Sequence, residues 1–382
     1  MRVLLHCVYY APEVGGLESH VAGLATGLVR RGVEVRVVTS RSLPNMPRHE
    51  EIDGVGIVRT WFPSRTPVGW IAHALGSVPA TRREARWADL VHAQSFASEV
   101  PAGIAAGAAS RPWVVSFHTS HFLARASSPV WSPILRRLVR WPDHALAAST
   151  EIAQVATALA GGRPVEALTN GVDTDTFRPD EESQSRGDVR TLVVPRRLFH
   201  KNGVEFLIRS LPEVRVSFPR LRVLIVGDGP ERSRLVALSK ALDVESVVQF
   251  LGACPHREMP SLFRSAELAV FPSLMEATSV GALEAMSCGL PVVASAVGGL
   301  PEIVDSEVGA LVPPGDPTAL AQAITGLLTD DDRSGKGLRA RARVVAMWSN
   351  DRLVERHLEI YEDLVRGRPV RPPRSENRIG SL

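Results

Sequence analysis

Cysteine is scarce in this chain of 382 residues, which holds only Cys7, Cys254 and Cys288. The number is odd, and no two of these cysteines form a CxxC pair. A disulfide framework needs paired cysteines and a zinc site needs closely spaced ligands, so neither is expected. The cysteines indicate a protein of a reducing compartment.

Long apolar runs are also missing. No run reaches the ~18 apolar residues of a membrane-spanning helix. The apolar stretch 3–11 is interrupted by His6 and lacks the small-residue cleavage site of a signal peptide. The stretch therefore predicts a buried first strand, and we expect a cytoplasmic protein that contacts a membrane at most from its inner face.

Lysine is the third shortage, because only three of the 44 basic residues are lysines, namely Lys201, Lys240 and Lys336. The arginines are spread along the chain, and the net charge is only +3. A nucleic-acid-binding protein normally has a concentrated basic face, so that class is excluded. A hydrophobic content of 45% with 22% charged residues is typical of a globular protein.

The first forty residues predict a βαβ unit. The apolar run Val3–Val8 suits a strand that is buried on both faces of a parallel sheet. An amphipathic helix over Leu17–Arg31 follows, Gly32 ends it, and Val33–Thr39 forms the next strand. The same alternation continues along the chain, which is the pattern of an open α/β sheet.

A polar segment at 178–190 divides the chain. We therefore predict a first domain at 1–177, a second at 191–349, a C-terminal helix at 350–366 and a tail without fixed structure at 367–382. Strands are predicted at Leu221–Val226 and Leu268–Phe271, among others. Two tandem Rossmann-like domains, with a cleft between them, suit a ligand that carries a nucleotide.

Two glutamates, Glu276 and Glu284, lie in the segment 272–304. Even in one continuous helix they would be about 12 Å apart along the axis. This exceeds the ~5–9 Å that separates the paired carboxylates of a glycoside hydrolase. The two residues suit separate contacts along one extended ligand, and two helix-surface glutamates are the alternative.

The segment 272–304 resembles the donor-binding signature of retaining GT-B glycosyltransferases of family four, also called glycosyl transferases group one. Other blocks of the chain resemble that family in the expected order, and they are PEVGGLESHV, VVSFHTS, TNGVDTDTF, PRRLFHKNGVEFLIRSL, VGDGPERSRL and FLGACPHREMPSLFRSAELAVFPS. The resemblance implies a GT-B fold and sugar transfer with retention of anomeric configuration. It also implies that no metal or other cofactor is required.

The same resemblance implies a nucleotide-sugar donor and a glycan, lipid-linked or small-molecule acceptor. A UDP-sugar is favoured over GDP-mannose. A nucleotide-sugar epimerase of the same fold and a non-catalytic nucleotide-sugar-binding protein are the alternatives. A nicotinamide dehydrogenase is disfavoured, because Arg232 stands where the third glycine of the fingerprint begun at Gly227 would be.

The resemblance also implies roles near the donor phosphates. Gly15 and Gly16 would let the backbone approach a phosphate at a helix N-terminus. Arg197 and Lys201 would neutralise the leaving diphosphate. The family's lysine directly precedes a glycine, whereas this chain has Lys-Asn-Gly, so Asn202 is the alternative to Lys201.

Further roles implied by the resemblance concern the ribose and the sugar. Glu284 would accept hydrogen bonds from the ribose hydroxyls, while Glu276 and His118 would contact the donor sugar. The donor-binding run continues through three residues that would meet sugar hydroxyls, namely Thr278, Ser279 and Val280.

Two further patterns have plainer explanations. The DxD at Asp173–Asp175 is similar to a metal-binding motif, but it lies inside the TNGVDTDTF block, so we predict no metal there. The segment 131–141 predicts a basic amphipathic helix. Such a helix could rest on an anionic membrane, and packing on the first sheet is the alternative.

Overall fold

The structure, a computed structural model, describes residues 1–13, 15–118, 121–180, 189–276 and 279–373. The chain divides into two compact units, Val172–Ser349 and Met1–Gly171, and the described residues from 350 to 373 belong with the latter. The division therefore lies at Gly171, whereas the sequence placed a linker at 178–190. Residues 181–188 of that segment, and 374–382 of the predicted tail, lie outside the described residues.

The first unit is built on a sheet with β1 at its centre. In the described chain the sheet has eight strands: β1 (Arg2–His6), β2 (Glu34–Ser40), β3 (His49–Ile52), β4 (Val55–Thr60), β5 (Leu90–Ala93), β6 (Trp113–Phe117), β7 (His144–Ala147) and β8 (Glu166–Ala167). Their order is β3-β4-β2-β1-β5-β6-β7-β8, and β3 alone of these runs antiparallel to its neighbour. The predicted first strand is thus confirmed, because its apolar residues are buried on both faces.

Helices cover both faces of this sheet. They are α1 (Gly16–Arg30), α2 (Pro67–Trp87), α3 (Phe96–Ala109), α4 (His121–Ala126), α5 (Trp131–Arg140) and α6 (Thr150–Leu159). Helix α1 ends one residue before the predicted position, and Gly32 follows in the left-handed conformation at φ 77°. Among the described helices, none is long and apolar enough to cross a membrane.

The second unit contains a parallel sheet of six strands in its described part. The strands are β9 (Arg190–Pro195), β10 (Leu221–Val226), β11 (Val248–Gly252), β12 (Leu268–Phe271), β13 (Val292–Ser295) and β14 (Gly309–Val312), in the order β11-β10-β9-β12-β13-β14. The helices are α7 (Val204–Ser217), α8 (Arg232–Ala241), α9 (Met259–Arg264), α10 (Val280–Ser287), α11 (Leu300–Ile303), α12 (Pro317–Thr329) and α13 (Arg333–Met347). The predicted strands at 221–226 and 268–271 match β10 and β12.

The last helix, α14 (Asn350–Val365), packs on the first unit. Val354, Ile360 and Tyr361 are buried in the same apolar core as β1. Arg356, whose side chain is 2% exposed, forms an ion pair with Glu166 through two hydrogen bonds of 2.7 and 2.9 Å. This helix is therefore part of the first unit, although the sequence set it apart at 350–366.

Arg356→Ala should lower the free energy of unfolding by about 3–5 kcal/mol, because Glu166 would lose its buried partner. Burial raises the pKa of Glu166, but hydrogen bonds from Arg356 and His144 outweigh burial and bring the pKa to about 2, below the ordinary 4.5. The stabilisation by this pair is therefore complete above pH 4.5 and is lost as the pH falls towards 2. Urea denaturation at several pH values measures the difference.

Arg366→Ala is the matched control, because Arg366 pairs with Glu362 on the exposed face of the same helical segment. An exposed pair contributes only about 0.2–1 kcal/mol. An equal loss of stability in Arg356→Ala and Arg366→Ala would show that the buried pair stabilises the fold no more than the exposed one.

Candidate functional site

Glu276 lies after β12 in the second unit, where it forms an ion pair with Arg196. Arg196 follows the end of β9, and its Nη2 also donates a 2.6 Å hydrogen bond to Ser273 Oγ. The guanidinium lies 5.0 Å from the ring centre of Phe271. Neighbouring parallel strands bring these residues together, because β9 and β12 are adjacent and end at the same edge of the sheet.

Two glycines lie against the backbone of the paired residues Arg196 and Glu276. Gly227, at φ 145°, lies so close to Arg196 that a Cβ would clash with the carbonyl oxygen of Arg196. Gly298, at φ 55°, lies equally close to the carbonyl oxygen of Glu276. The Gly-Asp-Gly segment that resembled part of a dinucleotide fingerprint therefore packs against the backbone next to Arg197.

Lys201 and Asn202 differ in what their side chains do. Asn202 is buried, and its Nδ2 donates a 2.6 Å hydrogen bond to the carbonyl oxygen of Arg197. Lys201 is exposed, and its carbonyl oxygen accepts a 2.8 Å hydrogen bond from the backbone N–H of Leu274. This bond joins the loop 196–202 to the segment that carries Glu276. Arg197 is also exposed, so two cationic side chains on this loop face solvent.

Glu284 lies on α10, and its side chain is 9% exposed. Its Oε1 accepts a 2.7 Å hydrogen bond from Nε2 of His256. Burial raises the pKa of Glu284, and the hydrogen bond to Glu284 raises the pKa of His256. Each of the two groups therefore gives up its proton at a higher pH than it would in free solution.

Helix α10 begins at Val280, and Ser279 caps it. Ser279 Oγ accepts a hydrogen bond of 3.3 Å from the backbone N–H of Ala282. The buried Ser279 hydroxyl thus has a structural partner, and Val280 occupies the first helical turn, where backbone N–H groups lack partners within the helix. Thr278, the third residue predicted here, lies outside the described residues.

In the first unit, Gly15 is the N-cap of α1 and Gly16 its first residue. Within the described part of the chain no side chain caps this helix, and its first N–H groups point away from the helix body. A Cβ at Gly15 would clash with the carboxylate of Glu18. Glycine here permits the close approach of an acidic side chain, and the predicted phosphate contact stays a prediction.

His118 follows β6, and both of its ring nitrogens face amide side chains. Nε2 lies 3.1 Å from Gln94 Oε1, and Nδ1 lies 3.2 Å from Asn170 Oδ1. Burial lowers the pKa of His118 to about 4, so the ring is neutral at pH 7 and carries one N–H. The single N–H of His118 therefore donates to the side-chain amide oxygen of either Gln94 or Asn170. The other of these two amides must direct its NH2 group towards the ring nitrogen that carries no hydrogen.

The carboxylate of Asp173 is used within its own turn. It accepts hydrogen bonds of 3.1 Å from the backbone N–H groups of Asp175 and Thr176, and one of 2.8 Å from the Thr176 hydroxyl. These contacts explain the DxD pattern as the cap of a turn.

Two family models match the chain. The model described as Glycosyl transferases group 1 matches residues 175–344, and the model described as Glycosyltransferase Family 4 matches residues 14–176. The D-inositol 3-phosphate glycosyltransferase 1 of Catenulispora acidiphila is 30% identical over 394 residues, which cover 94% of this chain and 93% of that protein. This chain belongs to the group 1 glycosyltransferases.

Other similarities agree with this membership. One component of the phosphatidylinositol N-acetylglucosaminyltransferase of Arabidopsis thaliana is 29% identical over 85% of this chain and 73% of that protein. The sucrose-phosphate synthase of Thermosynechococcus elongatus superimposes with a TM-score of 0.83 at 22% identity, over 96% of this chain and 99% of that one. HepE of Anabaena, in complex with UDP-glucose, superimposes with a TM-score of 0.77 at 21% identity. The match covers 95% of this chain and 100% of that one. The predicted GT-B fold is thus confirmed.

Sequence reasoning about this glycosyltransferase missed the partners of the predicted residues. Arg196, His256, Gln94 and Asn170 each contact a predicted residue but had no assigned role. Arg196, His256 and Asn170 stand inside the quoted motif blocks, so the blocks were a signal for them. Gln94 stands outside those blocks, and only the three-dimensional structure identifies it.

Asn202→Ala should lower the free energy of unfolding by about 1–3 kcal/mol, because the carbonyl oxygen of Arg197 would lose its partner. Lys201→Ala should leave stability within about 0.5 kcal/mol, as expected of an exposed residue, and should weaken the binding of a nucleoside diphosphate. Thermal denaturation and calorimetric titration measure the two effects. Lost stability in Lys201→Ala together with weaker nucleoside diphosphate binding in Asn202→Ala would show that Asn202 is the phosphate ligand.

Proposed function

We propose that this glycosyltransferase moves a hexosyl group from a nucleotide-sugar to an acceptor, with retention of anomeric configuration and without a metal ion. The observation that carries the proposal is the packing of the loop 196–202 on the segment with Glu276. That packing presents two exposed cationic side chains, Arg197 and Lys201, next to a paired carboxylate.

The cations account for the proposed independence from metal. A leaving diphosphate gains negative charge, which a metal ion or fixed cations can stabilise. Arg197 offers a planar fork of donors and Lys201 a compact charge, and both suit phosphate oxygens. At the nucleoside end, the carboxylate of Glu284 would accept hydrogen bonds from the ribose hydroxyls.

Retention follows if the departing phosphate takes the proton of the acceptor hydroxyl. The bond from the anomeric carbon to the phosphate oxygen breaks, the acceptor oxygen attacks on the same face, and its proton passes to the phosphate. Glu276 then acts as a hydrogen-bond acceptor for the sugar, because its pairing with Arg196 makes it a weak nucleophile. In the first unit, His118 would bind a sugar hydroxyl, and Gly15 and Gly16 would lie near a phosphate.

The proposed acceptor contains an inositol phosphate, since the names of both relatives described above contain inositol joined to phosphate. The first unit supports this choice near the carboxyl end of β1. Trp70 Nε1 donates a 2.8 Å hydrogen bond to the hydroxyl of Tyr9, and Arg65 lies 5.0 Å from the ring centre of Tyr9 while pairing with Glu13. Guanidinium, carboxylate and aromatic groups suit a phosphorylated polyol.

A thermal-shift panel of UDP-, GDP- and ADP-sugars identifies the donor, because a ligand at ~100 times its Kd stabilises by ~2.7 kcal/mol. We expect a UDP-sugar to give the largest shift. Transfer to inositol phosphate, followed by NMR of the anomeric proton, should give an α-linked product from an α-linked donor. EDTA should leave the rate unchanged, and an inverted product or loss of activity in EDTA would overturn the proposal.

Glu284→Ala should weaken the binding of the nucleoside diphosphate by about ten- to a hundredfold, because hydrogen bonds to a charged group contribute ~1.5–3 kcal/mol. Calorimetric titration measures the change. Glu307→Ala is the matched control, since Glu307 is an exposed acid of the same unit that pairs with Arg339. An unchanged Kd in Glu284→Ala would remove Glu284 from the donor site.

We also propose that α5 rests on the inner, cytoplasmic face of an anionic membrane. Leu135 and Val139 are buried, so this helix packs on the first unit. Its outer face leaves Val130 71% and Ile134 45% exposed, beside the exposed Arg136 and Arg137. Apolar side chains flanked by arginines suit the headgroup region of an anionic leaflet.

The double variant Val130→Ser, Ile134→Ser should reduce co-sedimentation with vesicles that contain phosphatidylserine, because it removes apolar area that would enter the membrane. Val216→Ser is the control, since Val216 is an exposed apolar residue at the end of α7 in the other unit. Wild-type protein that fails to co-sediment with anionic vesicles would contradict the membrane proposal.

A further inference from the structure

His256 pairs with Glu284 but had no role in the sequence analysis. Pro255 precedes a single turn of 3-10 helix, His256–Glu258, which begins at this histidine. The ring centre lies 5.1 Å from that of the buried Phe177. The imidazole is thus held between an aromatic ring and a carboxylate, and this double contact restricts its orientation.

The carboxylate of Glu284 needs this partner. A buried carboxylate without a compensating charge or hydrogen bond costs several kcal/mol, so the group would otherwise take up a proton. Among the described residues, His256 is the one whose side chain hydrogen-bonds to Glu284. Burial raises the pKa of Glu284, and the hydrogen bond from His256 opposes this effect of burial.

The pairing also decides which carboxylate oxygen can serve a ligand. A carboxylate has two oxygens and about four acceptor positions. His256 occupies a position on Oε1, so Oε2 keeps its acceptor positions for the hydroxyls of a ribose. The side chain of His256 is 38% exposed, so its ring can exchange protons with solvent.

We propose that His256 is a positioning residue that holds Glu284 ionised and oriented for the ribose of a nucleotide, and that its charge makes nucleotide affinity depend on pH. The inference rests on the proposed function only in taking Glu284 as the ribose ligand. The nucleotide binds more tightly while the imidazole is protonated, because the positive imidazolium attracts the anionic diphosphate of the nucleotide.

Charged groups of both signs lie on the elements around His256. Asp173, in the turn that also carries Phe177, adds to the raised pKa of His256. These charged groups are Glu284 on α10, Arg264 at the end of α9, Asp173 and Asp175 in the turn, Arg257 and Glu258 on its own segment, and Arg341 on α13, which donates hydrogen bonds to the carbonyl oxygens of Thr174 and Phe177. Because its pKa is raised, the imidazole loses its charge at a pH above 6.5, which is the ordinary pKa of histidine.

An NMR titration of the histidine rings, without nucleotide, tests the pair directly. His256 should titrate above 6.5 in the wild type, and Glu284→Gln should lower its pKa, because the bond to the Glu284 carboxylate is the largest cause of the raised value. This readout is independent of transferase activity. An unchanged titration in Glu284→Gln would overturn the inference.

Calorimetric titration with UDP and GDP between pH 6 and 9 tests the consequence. In the wild type the Kd should rise several-fold as the pH passes the pKa of His256. His256→Gln keeps an N–H donor for Glu284 without a titrating charge, so its Kd should not show this rise. His256→Ala should bind about ten- to a hundredfold more weakly, and Arg257→Ala, which removes an adjacent exposed charge, should match the wild type.

The outcomes separate this inference from the proposed function. A wild type that binds no nucleoside diphosphate overturns the proposed donor site. Normal binding by the wild type with an equal Kd in His256→Ala, confirmed as folded by its melting temperature, overturns the role of His256 alone. The same wild-type pH dependence in His256→Gln would assign the titrating charge to another group.

Discussion

The pairing of a largely buried carboxylate with a basic partner stabilises both units of the chain. Glu276 pairs with Arg196, Glu284 with His256 and Glu166 with Arg356. Without a partner, each carboxylate would either lower the stability of the fold by several kcal/mol or take up a proton. The pairs join segments that are 80, 28 and 190 residues apart in sequence. The positions of the loops after β9 and β11, and of α14, thus depend on where these acids lie.

Adjacent polar residues of the loop 196–202 differ in burial and in what they contact. Arg196 turns inward to Glu276, whereas Arg197 is exposed. Asn202 turns inward to the backbone of Arg197, whereas Lys201 is exposed. The inward member of each couple bonds within the protein, and the charge of the outward member faces solvent. A motif with two polar residues in a row therefore cannot be assigned by residue type alone, because the two members make different contacts.

The parts of the fold that apolar pattern determines were predictable. Strands β10 and β12 lie where continuous apolar runs placed them, because both faces of a parallel strand are buried. Which residues pair with each other in the sites was not predictable, because local spacing does not show which residue approaches from another segment. His92 shows this most clearly, since its Nδ1 lies 2.6 Å from the hydroxyl of Tyr361, 269 residues away. The docking of α14 on the first unit depends on such contacts, so periodicity alone left it as a separate helix.

Pairing also orients an acidic residue. Glu276 and Glu284 each have a protein partner on one carboxylate oxygen, so the other oxygen keeps its acceptor positions. The benefit of pairing lies in geometry, because an oriented carboxylate needs little reorganisation when charge develops nearby. The partners that the sequence did not identify thus fix the orientation of the carboxylates that it did.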